Sequence, residues 1–393
     1  MDSHANPYRP GAGLQPPFFA GRESLLTDAS VAMDRLLIGR SSKSFMLVGL
    51  RGVGKTALLQ RYANLAEEAG MMSVVIEVAE GSDITKLLAA RLYEVLLHMS
   101  ARGMTSRIRN TLRFLQGFML PANTNGYNEF VADSEMHTVA TGDPSIDLLD
   151  IFLEVGEVAR ENKTTIFFAF DELHRLPALE LGALIGAQHG AVQRSRPIFF
   201  VAAGLPQLPM LAAEARSYSE RMFAVLPIGA LSYQEMHHAV QIPAEAQGVR
   251  FEDDAVKEIY RVTQGFPYFV QEWAHGAWAL ADASLITIQN VAHASQAVLH
   301  RLSESFFQVR LDRLTDAEKR YLVAMGTLGD GAQSTRDIAH SLGKKSTALG
   351  SIRANLIRKG ILYSPRSGEV AYTAPLFKEF LQCARSSLRI LEA

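Results

Sequence analysis

The sequence predicts an α/β fold: a parallel sheet buried on both faces, followed by a helical unit and a small C-terminal helix-turn-helix with a β wing. Three observations lead there. In the first half, short apolar runs alternate with helically spaced segments, the pattern of strands covered by helices on both sides. One of those runs ends in a glycine- and lysine-bearing loop, and another ends in two carboxylates. After Pro227 the strand rhythm gives way to helical spacing opened by capping boxes.

The elements follow in order. Ser44–Val48 is an apolar run that stops at a glycine loop, and residues 56–69 place apolar side chains at 58, 59, 62, 65, 66 and 69, one face of a helix. Residues 72–78 read as a second strand and 83–98 as a helix, with further strands at 165–170, 197–203 and 223–227. Between His98 and Asp143 the rhythm is lost, and Pro121 to Gly126 is rich in turn residues. The expectation for 98–143 is a surface insertion. Helix resumes at Asp143-Pro144-Ser145, a cap followed by proline in the first turn. Ser232 to Glu235 forms a capping box, and helices are expected over 233–246, 253–263, 267–281 and 288–300, without strands. Trp273 and Trp278 read as core residues of that unit. The resulting domains are a tail at 1–16, a core at 17–230, a helical lid at 231–311 and a winged-helix domain at 312–393.

Composition supports a folded chain. The 393 residues are 48% hydrophobic and 20% charged, with net charge −2, and that length allows two or three domains. No stretch approaches the ~18 apolar residues of a membrane span, and the first seventeen residues have no signal-peptide core. The single cysteine, Cys383, has no internal disulfide partner. A cytoplasmic location is expected. Charge is uneven: from Asp312 to Ala393, 13 basic residues face 8 acidic ones, an excess of +5, so the rest of the chain carries −7. That asymmetry hints at an anionic partner for the C-terminal unit, although a solvated surface gives the same excess.

The chemistry lies in two motifs. Gly49, Leu50, Arg51, Gly52, Val53, Gly54, Lys55 and Thr56 match G-x-x-x-x-G-K-[ST] between a strand and a helix. Glycines let backbone N–H groups close around phosphate oxygens at a helix N-terminus. Lys55 is placed for the β- and γ-phosphates of ATP, and the Thr56 hydroxyl for Mg²⁺. The strand ending in Asp171-Glu172 supplies the acids: Asp171 for the metal shell and Glu172 to polarise the attacking water. His174 reads as a loop histidine. At the C-terminal end, helices at 315–325, 334–341 and 346–359 precede two short strands flanking residues 364–369, a helix-turn-helix with a wing. Lys344, Lys345, Ser346, Thr347, Ser351 and Arg353 are its candidates for duplex DNA.

Together these motifs resemble the AAA+/STAND superfamily of P-loop ATPases, best its origin-recognition-like and archaeal-type bacterial members. Phe19 to Glu23 resembles their GRE box, which implies Gly21 and Arg22 near adenine. Arg221, like Arg216, lies where many members carry an arginine before the fifth strand. The resemblance implies a finger toward a neighbour's phosphate in a homo-oligomer, against the alternatives of a surface ion pair or contact with its own nucleotide. Gly265-Phe-Pro267-Tyr268 resembles the lid motif and implies Pro267 at the nucleotide. Two departures imply slow hydrolysis: the fourth strand offers nothing polar before Gln207, and the lid lacks a sensor arginine. The reading is an ATP-dependent switch, an ATPase turning ATP into ADP, that contacts DNA. Its rival is a signalling or defence NTPase whose winged helix contacts protein or holds the core closed. A metabolic P-loop kinase finds no acceptor-binding element.

Overall fold

The computed structural model describes residues 2–100, 104–119, 140–374 and 376–385. Five parallel strands form the central sheet: β1 (Ser44–Val48), β2 (Met72–Glu77), β3 (Ile166–Asp171), β4 (Ile198–Gly204) and β5 (Phe223–Pro227), in the order β2-β3-β4-β1-β5. Their ends align, with Glu77 opposite Asp171 and Val48 opposite both Gly204 and Pro227. Everything that follows a strand therefore emerges at one edge.

The central strands read as unbroken apolar runs because both faces are covered. Ile166, Phe168 and Phe170 pack on one face with Phe152 and Phe200, while Phe167 and Ala169 pack on the other with Phe45 and Phe199. Rings stack along the first face, Phe168 on Phe170 and Phe170 on Phe200. Helices Ile84–Ser100, Pro144–Glu161 and Ala178–Gln193 cover that face, and Glu23–Leu37 and Lys55–Glu68 the other.

Part of the expected insertion is regular structure. Ser106–Met119 is a helix that buries Ile108, Leu112, Leu115 and Phe118 in the first-face core. Its charged residues between the apolar positions masked the spacing in sequence. The rest of that expectation, 120–139, lies outside the described residues.

The helical unit contains the expected helices, Tyr233–Glu245, Asp253–Thr263, Pro267–Leu280 and Ile288–Leu302. It also holds two strands of two residues, Arg250–Phe251 and Leu285–Ile286, paired in parallel; they are too short for any alternation to register. Trp273 and Trp278 are core residues, as expected. Their indole N–H groups donate to Ser295 Oγ and to the Asp2 carbonyl. Residues 2–9 are accordingly no loose tail: Asn6 donates to the His275 carbonyl, and Tyr8, only 3% exposed, donates to the Val240 carbonyl.

Beyond Leu302 the chain stays helical through Ser303–Gln308 and Val309–Asp312 before entering the C-terminal unit. There Asp316–Thr327, Thr335–Ser341 and Gly350–Arg358 are helices, and Ser346–Leu349 is a tight turn of 3₁₀ helix instead of the start of the third helix. Three strands, Gln333–Ser334, Glu369–Tyr372 and Leu362–Tyr363, form an antiparallel sheet with Glu369–Tyr372 in the middle. One apolar cluster runs from Trp273 through Leu311 to Leu322 and Leu356, so the two helical units share a core. Among the described residues no helix is long and apolar enough to cross a membrane.

Candidate nucleotide-binding site

The loop after β1 sits at the C-terminal edge of the sheet, where a parallel sheet opens its crevice. Gly52 and Gly54 take φ of +81° and +89°, conformations that L side chains rarely adopt. Gly49 is fixed by space: a Cβ there would lie 2.1 Å from the Ile228 carbonyl oxygen. The result is a loop whose backbone wraps the N-terminus of Lys55–Glu68.

Lys55 is only 6% exposed, and its Nζ donates to the Leu50 carbonyl at 2.8 Å. Burial lowers its pKa to about 8, against the opposing pull of Glu172 and Asp171. The Thr56 hydroxyl donates to Asp171 Oδ2 at 2.6 Å, so the two residues assigned to metal from sequence meet. Burial raises the Asp171 pKa, while the Thr56 hydrogen bond opposes the rise. Among the described residues no three His, Cys, Asp or Glu side chains gather as a metal cage. Thr56 and Asp171 would be the residues to hold a Mg²⁺ ion, which commonly completes its shell with phosphate and water.

Glu172 stands in a left-handed conformation, φ +54°. Its Oε2 lies 2.9 Å from Arg175 Nη2 and 3.6 Å from Arg51 Nη2. Burial pushes its pKa up, but Arg51 and the neighbouring cations outweigh it and hold the carboxyl below the usual range. His174 is no loop histidine. Its Nδ1 accepts from the Leu205 N–H at 3.3 Å, which leaves the proton on Nε2, 3.8 Å from Glu172. Burial lowers its pKa to about 4, so the ring is neutral at pH 7. It joins the end of β4, where sequence showed nothing polar, to the acidic pair.

Two other units grip the loop through main-chain atoms. The Tyr268 N–H donates to the Gly52 carbonyl at 3.0 Å, and the Arg51 N–H donates to the Thr373 carbonyl of the C-terminal unit at 2.9 Å. The Gly265-Phe-Pro-Tyr motif makes the first grip. Gly265, at φ +72°, approaches the Leu231 carbonyl so closely that a Cβ would lie 2.2 Å from its oxygen, and Pro267 opens the helix that carries Tyr268. At the second grip Gly360 leaves room for Arg51, whose Nη2 would lie 2.8 Å from a Cβ there.

A cavity of about 800 Å³ lies between the three units. Residues 51–56, Arg22 and Pro267 line it, as do Glu172, Arg175, Arg310, Arg358 and Lys359. Burial and the Arg51 charge lower the Arg310 pKa to about 10. Arg51 Nε is buried without a hydrogen-bond partner. Several cations lining one cavity, with a buried donor left unpaired beside a phosphate-type loop, fit a polyanionic ligand.

Other sequence-derived site residues fall elsewhere. Gly49, Leu50 and Gly21 do not line the cavity; a Cβ on Gly21 would meet Glu235 Oε1 at 2.4 Å, which makes it a packing glycine. Arg22 lines the cavity while its Nη2 donates to the Gly229 carbonyl at 2.6 Å. Arg216 is tied to the Gly182 carbonyl through Nε, and Arg221 is exposed; neither lines the cavity. Lys344, Lys345, Ser346, Thr347 and Ser351 are exposed and Arg353 is half-buried. Lys359, counted with them for charge, instead bonds the Arg313 carbonyl and the buried Glu318. Sequence reading placed Arg51 in the glycine loop but missed Arg175, Arg310 and Thr373 as neighbours of the site.

Comparison with known proteins bears on the fold and on part of the chain's family. Residues 19–201 match the family described as AAA ATPase domain, and residues 304–381 match a domain of unknown function (DUF8462). No curated protein matches. The Walker-type ATPase of Pyrococcus abyssi is similar in structure, with TM-score 0.57 and 12% identity over 95% of this chain and 98% of that one. That likeness shows the fold. The Thermotoga maritima RuvB Holliday junction branch migration motor gives 0.45 and 15% over 94% and 95%. The Aeropyrum pernix ORC1 protein in complex with DNA gives 0.44 and 16% over 96% of both chains.

Proposed function

We propose that this chain is an ATP-binding, slowly hydrolysing molecular switch whose C-terminal unit reads the nucleotide state and contacts duplex DNA. The observation that carries it is the meeting of Lys55, Thr56 and Asp171 beneath a loop of left-handed glycines. Lys55 holds the β- and γ-phosphates, Thr56 and Asp171 hold Mg²⁺, and Glu172 orients water. Arg22 and Pro267 border the ligand. In the described arrangement Arg51 and Arg175 occupy Glu172, so the base is withheld from water until those cations turn toward phosphate. That supports slow turnover. Arg221, exposed and outside its own cavity, serves a neighbour's phosphate if copies assemble. The exposed residues 344–347 and Ser351, with Arg353, form the face for DNA, and the fold around them is read as a winged helix.

A specific observation favours the rival reading of that unit. Its Thr373 and Gly360 sit on Arg51, which is how a module would hold the core closed. The two readings are compatible if docking and DNA contact alternate.

Calorimetry tests the core claim. Lys55→Ala is expected to abolish ATP binding in a protein that still unfolds cooperatively; undiminished binding would overturn the reading.

A further inference from the structure

We infer that the cavity holds a second anion site, between the phosphate loop and the C-terminal unit, which takes inorganic phosphate. Nine arginine and lysine side chains line the cavity against two carboxylates, Glu80 and Glu172. That excess goes beyond the charge of one nucleotide with its Mg²⁺. Much of it gathers near the C-terminal unit. Arg51 Nη2 lies where a Cβ on Gly360 would come within 2.8 Å of it. Lys359, the residue before that glycine, donates to the Arg313 carbonyl at 2.9 Å. Arg358 and Arg310, close to these in the chain, line the same cavity. Lys55 belongs to a different set. The charges that act on it are those of Glu172, Asp171 and Arg51, whereas Arg310 feels Arg51, Tyr268, Arg313 and Glu172. Arg51 and Glu172 thus form the boundary between loop-side cations and a C-terminal group.

The C-terminal group suits a compact oxyanion. Arg51 and Arg310 are half-buried and repel each other, and Arg51 Nε has no hydrogen-bond partner. Guanidinium groups donate in pairs to phosphate oxygens. A phosphate here relieves the repulsion and supplies the missing acceptor. Arg313 and Arg358 are exposed and line the cavity, so they form its mouth on this side. The bound anion would tie the loop, through Arg51, to the helix Val309–Asp312 and to the end of Gly350–Arg358. The site goes beyond the nucleotide reading above, which serves only to say what occupies the loop beside it.

Calorimetry of inorganic phosphate into the full chain saturated with ADP tests this, with ionic strength held constant by chloride. One phosphate per chain should bind. Arg310→Gln should weaken it tenfold or more while ADP affinity changes less than twofold. Arg313→Gln, at an exposed position, should weaken it at least threefold and covers the case of a first variant that misfolds. No binding, or equal phosphate affinity in wild type and folded variants, overturns the inference. Lys55→Ala without nucleotide should bind phosphate as tightly as the ADP-saturated wild type. Loss of phosphate there puts the anion on the loop and overturns the inference as well. Retained ADP binding by Lys55→Ala would instead sink the nucleotide reading and leave the phosphate result standing.

Discussion

Lys55 is a cation kept where cations are costly. Buried and bonded to a carbonyl rather than to a carboxylate, it has a pKa of about 8, below the ordinary lysine value. A bound phosphate favours the charged form, so above pH 8 nucleotide binding must take up a proton. Affinity for ATP is therefore expected to hold below pH 8 and to fall as pH rises above it. Calorimetry at pH 8.5 in buffers of different ionisation enthalpy should register that proton uptake. A heat independent of buffer would contradict it. Lys55 and Thr56 were legible because the glycine loop fixes both type and spacing, and Asp171 because it ends an apolar strand. His174 was not, because its partner Leu205 lies 31 positions away and offers only a main-chain N–H.

At the level of elements, the buried strands and capped helices were legible because each carries a local signature. Ser232 forms the capping box read from sequence, and Thr315 forms another at the start of Asp316–Thr327. Ser106–Met119 was missed, and so was the shared core that makes lid and C-terminal unit continuous, since a cluster spanning Trp273 to Leu356 has no local pattern. Within that unit Lys359 ties the third helix to the first. Its partner Glu318 is 2% exposed, held otherwise by the Thr315 backbone. Lys359→Met keeps the aliphatic stem and leaves a buried carboxylate without its cation. It should cost about 2 kcal/mol, read by denaturant unfolding. A loss below the error of that measurement would mean that Glu318 is satisfied without it.

For the molecule as a whole, the proposed DNA contact and the docking of the C-terminal unit on the loop are told apart by salt. If the exposed face at 344–347, 351 and 353 meets phosphates, log K for duplex DNA should fall with log salt by about 0.9 per neutralised phosphate. Replacing Lys344, Lys345 and Arg353 by alanine should flatten that slope by up to about 3 units without changing ATP affinity. Filter binding from low to moderate salt reads both. No DNA affinity, with or without ATP, would leave the docking reading alone, which expects faster ATP turnover when residues after Leu311 are removed. The grips on the loop were not legible in sequence, because they are made by Gly360, Gly265 and main-chain atoms, which have no chemistry to notice.

The two grips on adjacent residues of the phosphate loop, through Gly52 and Arg51, have a consequence for how this protein varies. Both are made by peptide groups, so any side chain that preserves the backbone path preserves the wiring. Alanine scanning of Tyr268, Arg51 or Thr373 leaves these bonds in place, and sequences can drift at those positions while the mechanical link survives. Only changes of backbone class, such as proline at 51 or 268, cut a grip by removing its N–H. Signal transfer here would be inherited as shape, invisible to a comparison of residue identities.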